Sequence, residues 1–156
     1  MNSCSCRGYS GRRMSAVVVS SGCFKGSYGD FDNLRLLWAQ VAGYGVVDYG
    51  GQGGPKVPNI PYDTYSTDDI QGEWPEGAPD DPLIILLAHN ETAGRIKAEH
   101  CAYLADRLEE LELRMSRGNS IMPAWILRTQ QFIHGLRYAA SQRTDVVFGK
   151  EELSRS

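Results

Sequence analysis

Residues 43–82 constrain the fold of this 156-residue chain more than any other feature. They contain eight glycines, six of the chain's seven prolines and five aromatic residues, with almost no periodic aliphatic pattern. Glycine and proline favour turns, and a loop of this length in a compact domain is either functional or disordered. The sequence therefore predicts one domain whose regular elements lie before and after a long loop.

The same segment is strongly acidic, since eight aspartates and glutamates stand against the single basic residue Lys56. One interpretation is a solvated surface loop. The other is a recognition loop that binds a protein partner, because aromatic residues are favoured anchors at interfaces. The candidate partner-binding residues are Tyr49, Tyr62, Tyr65, Asp68, Asp69 and Trp74.

Before the loop, the sequence predicts a strand or a small hairpin followed by one helix. Residues 15–27 place β-branched residues ahead of a glycine turn and a second short run. Apolar residues then recur at helical spacing; Asp30 or Asp32 can cap the first turn, and Gly43 suits the helix end. The predicted inward face comprises Phe31, Leu34, Trp38 and Val41.

After the loop, Asp81 can serve as N-cap and Pro82 as the first residue of a two-turn helix ending near His89. The helix is preferred, but periodicity does not exclude a buried strand over the apolar run 83–88. Residues 97–115 show the clearest amphipathic helix, with one apolar stripe. That stripe comprises Cys101, Leu104, Ala105, Leu108, Leu111 and Met115.

A last helix is predicted to begin near Pro123, followed by a short strand over residues 145–149. Its inward residues are Trp125, Thr129, Phe132, Ile133, Leu136 and Ala140. The predicted fold class is therefore α+β, with three to four helices, a small sheet or hairpin and the long acidic loop. The globular domain is predicted to span residues 14–150, between a disordered tail over 1–13 and a C-terminal tail over 151–156.

Several function classes are disfavoured by the composition. The longest apolar run, residues 83–88, is far shorter than the roughly 20 residues of a membrane-spanning helix. The apolar stretch 16–19 is too short for a secretory signal, so we expect a cytoplasmic location in a bacterium or an infected host cell. The four cysteines form no C-x-x-C pair, so we predict reduced thiols and neither a metal nor another cofactor.

The stretch from Leu86 to Leu111 groups His89, Glu91 and His100 near Cys101. These residue types could support a small metal-assisted hydrolase, but their spacing matches no established ligand motif. A cysteine on an apolar stripe behaves as a small hydrophobic residue rather than a nucleophile. The preferred interpretation is a turn between two helices, with Gly94 providing backbone freedom.

The segments LLAHNETAGRI, EHCAYLADRLEEL and TQQFIHGLRYAASQRTDVVFG, together with SYGDFDNLR, carry a resemblance to a known family. They resemble uncharacterised small proteins of actinobacteria and their phages, with the pattern LLxHSDCDGxI, LAxRLxEL and FxxGLxxA. His89 and Gly94 match this pattern, whereas Ala93 replaces its second aspartate. The resemblance covers roughly half of the chain and implies a shared fold without an established activity.

The leading hypothesis is a non-enzymatic interaction protein, encoded by a phage or a mobile element, that binds a protein partner through the acidic aromatic loop. A first alternative is nucleic-acid contact through Arg128, Arg137 and Arg143 of the last helix. The overall net charge of −3 counts against nucleic acid. A second alternative is hydrolysis by His89, Glu91 and His100.

Overall fold

The computed structural model describes residues 15–48, 50–59, 81–88, 94–118 and 120–152. In these residues, helices are combined with two small antiparallel sheets. The mixed α and β character predicted from the sequence is thereby confirmed. Within the described ranges, no helix has both the length and the apolar character needed to cross a bilayer.

The described part of the chain starts with a β-hairpin formed by strand β1 (Ser15–Val19) and strand β2 (Phe24–Gly26). The hairpin turn spans Ser20–Cys23, and the Cys23 N–H donates to the Ser20 carbonyl at 3.2 Å. Ser21 and Gly22, the two central residues, both have positive φ, at 61° and 75°. This geometry matches the right-handed twist of the two strands, so the turn closes the predicted hairpin without distorting it.

Two later segments complete the main sheet, in the order β2-β1-β6-β5. Strand β6 (Val146–Glu152) lies between β1 and the two-residue strand β5 (Arg95–Ile96), antiparallel to both. The prediction of a strand ending at residue 149 was too short. The ladder continues because Glu151 and Glu152 pair with Ala16 and Ser15 of β1.

Helix α1 (Tyr28–Ala42) follows the hairpin. Its N-cap is Ser27, whose Oγ accepts the Asp30 N–H at 3.0 Å, so the predicted caps Asp30 and Asp32 were wrong. Asp30 instead lies in the first turn, where a carboxylate also favours the helix dipole. Gly43 ends the helix in the left-handed conformation, with φ 95°, as predicted.

Helices α3 (Ala98–Arg117) and α4 (Pro123–Gln142) form an antiparallel pair. The six residues of the predicted α3 stripe are all buried. On α4, Trp125 and Ala140 are only partly buried, and Ala139 takes the inward position expected for Ala140. The buried residues of α4 are Thr129, Phe132, Ile133, Gly135, Leu136 and Ala139.

An aromatic cluster joins the sheet to α1 and α4. The Phe31 ring of α1 lies 5.0 Å from Phe24, 6.0 Å from Phe148 and 6.4 Å from Phe132, measured between ring centroids. Trp38 packs edge-on against Phe132 at 5.3 Å. Aromatic pairs at these separations add to the free energy gained by burial alone, so the cluster fixes α1 and α4 over one face of the sheet.

One buried hydrogen bond crosses this core. The Trp38 indole N–H donates to Thr129 Oγ1 at 3.0 Å, and both residues are fully buried. The Thr129 hydroxyl in turn donates to the Trp125 carbonyl at 2.9 Å. A buried donor that loses its acceptor keeps its desolvation cost, so Thr129 stabilises the fold by satisfying Trp38.

Replacing Thr129 with valine is expected to lower the free energy of unfolding by about 2 kcal/mol, because the indole N–H then has no acceptor in an otherwise unchanged core. Urea denaturation measures the change. Thr129→Ser is the matched control, since it keeps the hydroxyl and costs about 1 kcal/mol for the lost methyl group. A serine variant less stable than the valine variant would contradict the assigned hydrogen bond.

The first part of the predicted loop contains regular structure. Strands β3 (Val46–Asp48) and β4 (Lys56–Pro58) pair as an antiparallel two-stranded ribbon that contacts α1. The prediction of an unbroken loop over 43–82 is therefore corrected for this part of the segment. Strands of three residues leave too short a pattern to detect, and side-chain contacts with α1 stabilise them instead.

Residues 83–96 agree with the prediction in the helix and in the glycine but differ in the segment before α3. Leu83–Ala88 forms the short helix α2, as preferred over the strand alternative. Gly94 has a φ of 93°, which supports the predicted role of this glycine. Residues 95 and 96, expected within a turn, instead extend the sheet as β5, because they pair with Val147 and Val146.

Candidate functional site

The two ends of segment 43–82 meet at a contact formed by Tyr44, Asp81 and Arg107, named here the neck. At the start of the loop, the Tyr44 hydroxyl donates a hydrogen bond of 2.6 Å to Asp81 Oδ2, at its end. The two residues are 37 positions apart in the sequence. A contact between the two ends means that the loop starts and finishes at one place on the surface.

Arg107 of α3 holds this neck to the helical core. Its Nε donates to Asp81 Oδ1 at 2.9 Å and its Nη2 to Asp81 Oδ2 at 3.1 Å. Only 18% of each of these two side chains is exposed. The Leu83 N–H also donates to Asp81 Oδ1 at 3.0 Å, which confirms Asp81 as the cap of α2. Bidentate pairing of this kind fixes direction as well as distance, so the neck has one defined geometry.

The neck changes the protonation equilibrium of Asp81. Burial alone would raise the pKa of this carboxyl, but hydrogen bonds from Arg107, Tyr44 and the Leu83 N–H outweigh it. The pKa of Asp81 is therefore lowered below its ordinary value. The same contact raises the pKa of Arg107. The ion pair is consequently charged at neutral pH.

A second contact fixes the place where the chain leaves β4 toward residues 60–80. Asn59, just after β4, donates its N–H to the Gly45 carbonyl at 3.0 Å. The chain therefore leaves the described structure beside Gly45 and returns at Asp81, which is bonded to the adjacent Tyr44. Residues 60–80, named here the acidic excursion, begin and end at neighbouring points of the fold.

The candidate partner-binding residues Tyr49, Tyr62, Tyr65, Asp68, Asp69 and Trp74 lie outside the described residues. Sequence reasoning identified Asp81 only as a helix cap. It missed the role of Tyr44 and Arg107 in the neck. No local pattern could have paired Arg107 with a carboxylate 26 positions earlier in the chain.

Of the three proposed hydrolase residues, His89 and Glu91 lie outside the described residues. His100 lies in the first turn of α3, and its Nε2 is 3.7 Å from Glu99 Oε2. Among the described residues, no group of three histidine, cysteine or acidic side chains could hold a metal ion.

Cys101 is fully buried, and its thiol contacts the Lys97 carbonyl at 3.5 Å. Burial, together with the charge of Asp145, raises the pKa of this thiol to about 11. Burial also raises the pKa of Cys23 far above its ordinary value. Since the thiolate is the reactive form, both side chains are suited to packing rather than to nucleophilic attack.

We expect Cys23 and Cys101 to react with a thiol reagent only after unfolding. At pH 8, a thiol with a pKa near 11 is ionised in about one molecule in a thousand. The measurement uses Cys4→Ser/Cys6→Ser protein, so that only the two buried thiols remain. Urea-unfolded protein is the control for full reactivity, and rapid labelling of the native protein would contradict the assignment.

The arginines proposed to contact nucleic acid differ in their surroundings. Arg137 Nη2 lies 3.1 Å from Asp106 and 2.9 Å from Glu109, both on α3. The Arg128 guanidinium stacks 4.7 Å over the Phe24 ring and donates to the Lys25 carbonyl at 3.3 Å. Arg143 is the exposed C-cap of α4. The structure therefore engages Arg128 and Arg137 in intramolecular contacts rather than forming one shared basic surface.

Comparison with known proteins adds no relative. No family model, curated protein or solved structure matches this chain. The resemblance to small proteins of actinobacteria and their phages therefore stays a prediction from the motifs. The neck formed by Tyr44, Asp81 and Arg107 is the feature on which a functional argument can be built.

Proposed function

We propose that the protein is a non-enzymatic interaction module that binds a basic surface of a protein partner through the acidic excursion. The observation that carries the proposal is the closed neck, where Tyr44, Asp81 and Arg107 hold the two ends of the loop together. A segment whose two ends are fixed at one point can change in sequence and in conformation without disturbing the core. Proteins commonly place recognition residues on loops supported by a rigid scaffold.

The chemistry of the excursion indicates the kind of partner. Residues 60–80 contain six acidic residues and no basic residue. Tyr62, Tyr65 and Trp74 supply aromatic side chains of the types enriched at binding hot spots. A concentration of like charge steers association with a partner of opposite charge. Lysine- and arginine-rich protein surfaces are therefore the favoured partners, whereas nucleic-acid phosphates are disfavoured.

The motif resemblance supports a biological setting for this proposal. We therefore propose that the partner is a host or viral protein of an actinobacterium. The proposal assigns no cofactor and no catalytic step to the chain.

The decisive experiment removes residues 60–80 and leaves the neck intact. About six glycine and serine residues can join Asn59 to Asp81, because each extended residue spans about 3.3 Å. This length suffices because Asn59 and Asp81 are bonded to the neighbouring residues Gly45 and Tyr44. Both proteins are immobilised and exposed to a nuclease-treated actinobacterial lysate. We expect a protein retained in stoichiometric amount by the intact chain and absent from the excised chain, identified by mass spectrometry.

Two point-variant sets separate aromatic from electrostatic contributions. Tyr62→Ser/Trp74→Ser is expected to abolish retention, while Asp68→Asn/Asp69→Asn is expected to weaken it and reduce its salt dependence. Circular dichroism and urea unfolding check that every variant keeps the fold. Equal retention of the same partner by intact and excised proteins would refute the proposal.

A further inference from the structure

The solvent-facing side of α4 carries a stripe without acidic side chains, lysine or arginine. Leu127, Gln131, His134 and Tyr138 follow one another at spacings of four, three and four residues, which places them on one helical face. This face is opposite to the buried Phe132 and Leu136. Leu127 is 63% exposed and Tyr138 is 58% exposed. The stripe therefore presents apolar groups at both ends and polar groups between them.

The stripe lines one wall of a groove of about 480 Å³. The opposite wall is the hairpin turn, through Ser21 and Gly22. Gly135 lies at the base of the groove, where it allows the turn to pack closely against α4. Leu127 and Tyr138 therefore line the same shallow, open depression rather than two isolated exposed positions.

A second groove, of about 340 Å³, lies on the other side of His134 and is acidic. Arg137 is shared there by the carboxylates of Asp106 and Glu109. In the described part of the chain, Glu112 accepts hydrogen bonds from the neutral donors Ser116 and Gln130, each at 3.0 Å. Three carboxylates thus face one guanidinium, which leaves this flank with an excess of negative charge.

We propose that this face of α4 is a docking surface for a basic amphipathic helix of another protein. Apolar side chains of that helix would cover Leu127 and Tyr138, since burying them removes apolar area from water. A lysine or arginine of the same helix would face Glu112 and Glu109 across the acidic groove. The combination of apolar stripe and acidic flank defines the chemistry of the partner.

The same charges disfavour two other occupants. A nucleic-acid backbone would bring phosphates against the excess carboxylates around Arg137. A second copy related by a two-fold axis that makes the two α4 helices antiparallel would place one acidic flank against the other, and like charges across an interface weaken association. The surface is also distinct from the acidic excursion, so the inference goes beyond the proposed function and does not depend on it.

The test uses a fluorescent peptide of about 15 leucine and lysine residues, with leucines at helical spacing, as the probe. Fluorescence anisotropy measures its binding to the full chain. Leu127→Ser/Tyr138→Ser is expected to weaken binding about tenfold. Tyr103→Ser/Leu113→Ser is the matched control on α3, where both residues are also exposed, at 68% and 51%. We expect this control to bind like the parent protein.

A second set of measurements tests the charge requirement. Glu112→Gln is expected to weaken binding about threefold and to flatten its salt dependence. A peptide with glutamate in place of lysine is expected not to bind. The titrations are repeated in the variant lacking residues 60–80, which removes any binding of the basic peptide to the acidic excursion. Binding that depends on Leu127 and Tyr138 should persist in this variant.

Six outcomes would overturn the docking proposal. Four of them concern the peptide: absence of saturable binding by the leucine–lysine peptide, equal loss in the α3 control, equal binding of the glutamate peptide, and loss of binding on removal of residues 60–80. Self-association abolished by Leu127→Ser would overturn it in favour of a second copy. Tight binding of a uridine oligonucleotide abolished by Arg137→Gln would overturn it in favour of nucleic acid.

Discussion

Replacing Asp81 with alanine is expected to lower the free energy of unfolding by about 3 kcal/mol, because the largely buried Arg107 loses its bidentate partner and keeps, among the described residues, only the exposed Glu110. The variant also loses the cap of α2 and the acceptor for the Tyr44 hydroxyl. Chemical denaturation at pH 7 measures the change. Asp106→Ala is the matched control, since that carboxylate also pairs with an arginine but is 74% exposed.

The control is expected to lie close to the parent protein, because exposed ion pairs contribute little to stability. Similar losses in the two variants would show that the neck is not specifically stabilising.

The parent and Asp81→Ala proteins also test whether the charged form of Asp81 stabilises the fold. The carboxylate of Asp81 has a lowered pKa in the folded state, so it contributes stability above the unfolded value, near 3.8.

That contribution is lost as the pH falls through the lower, folded pKa of Asp81. The stability difference between parent and Asp81→Ala proteins should therefore be largest near neutral pH and smaller in strong acid. Denaturation curves recorded from pH 7 down to pH 2 measure this trend. A difference that grows with acidification would mean that the charged form of Asp81 does not stabilise the fold.

Replacing Gly135 with alanine is expected to lower the free energy of unfolding by about 2 kcal/mol, as overpacking in a closed contact does. An added Cβ would lie 2.6 Å from Cys23 Sγ and 2.8 Å from both the Cys23 N and Cα atoms. The last two atoms belong to the backbone of the hairpin turn, so rotation of the cysteine side chain cannot relieve the contact. The turn or α4 must shift.

Gly29→Ala is the matched control for this substitution. Gly29 also lies within a helix, α1, but the nearest atom to its added Cβ is Ser27 Oγ at 4.0 Å. Alanine favours the helix over glycine by about 1 kcal/mol, so we expect a small gain in stability. A Cys23→Ala/Gly135→Ala protein should recover only part of the loss. Full recovery, or a stabilising Gly135→Ala, would contradict the close backbone approach.

The helices show which features a local sequence pattern predicts and which it does not. The apolar stripe of α3 was predicted residue by residue, since helical periodicity decides which side chains share a face. The N-cap of α1 was not, because Ser27 and the two aspartates are all good capping types at neighbouring positions. Choosing among such residues depends on where the preceding strand ends.

The functional residues depended more strongly on tertiary structure. Arg137 was an alternative candidate for nucleic-acid contact, and the sequence did not reveal that the antiparallel packing of α3 and α4 brings Asp106 and Glu109 against it. Gly135 gave no sign in the sequence that a distant turn would pack on it. The positions of charged residues and glycines can be read from a sequence. The residues that they contact lie on other elements, so the tertiary structure determines what each of them does.

The sequence by itself determined the α+β class, the placement of the long helices and the acidic character of residues 60–80. These properties follow from composition and from periodicity over a few turns of chain. Only the tertiary structure decided that Tyr44, Asp81 and Arg107 meet, and that the outward face of α4 borders an acidic groove. Such contacts join residues far apart in the chain, so the packing of whole elements determines them.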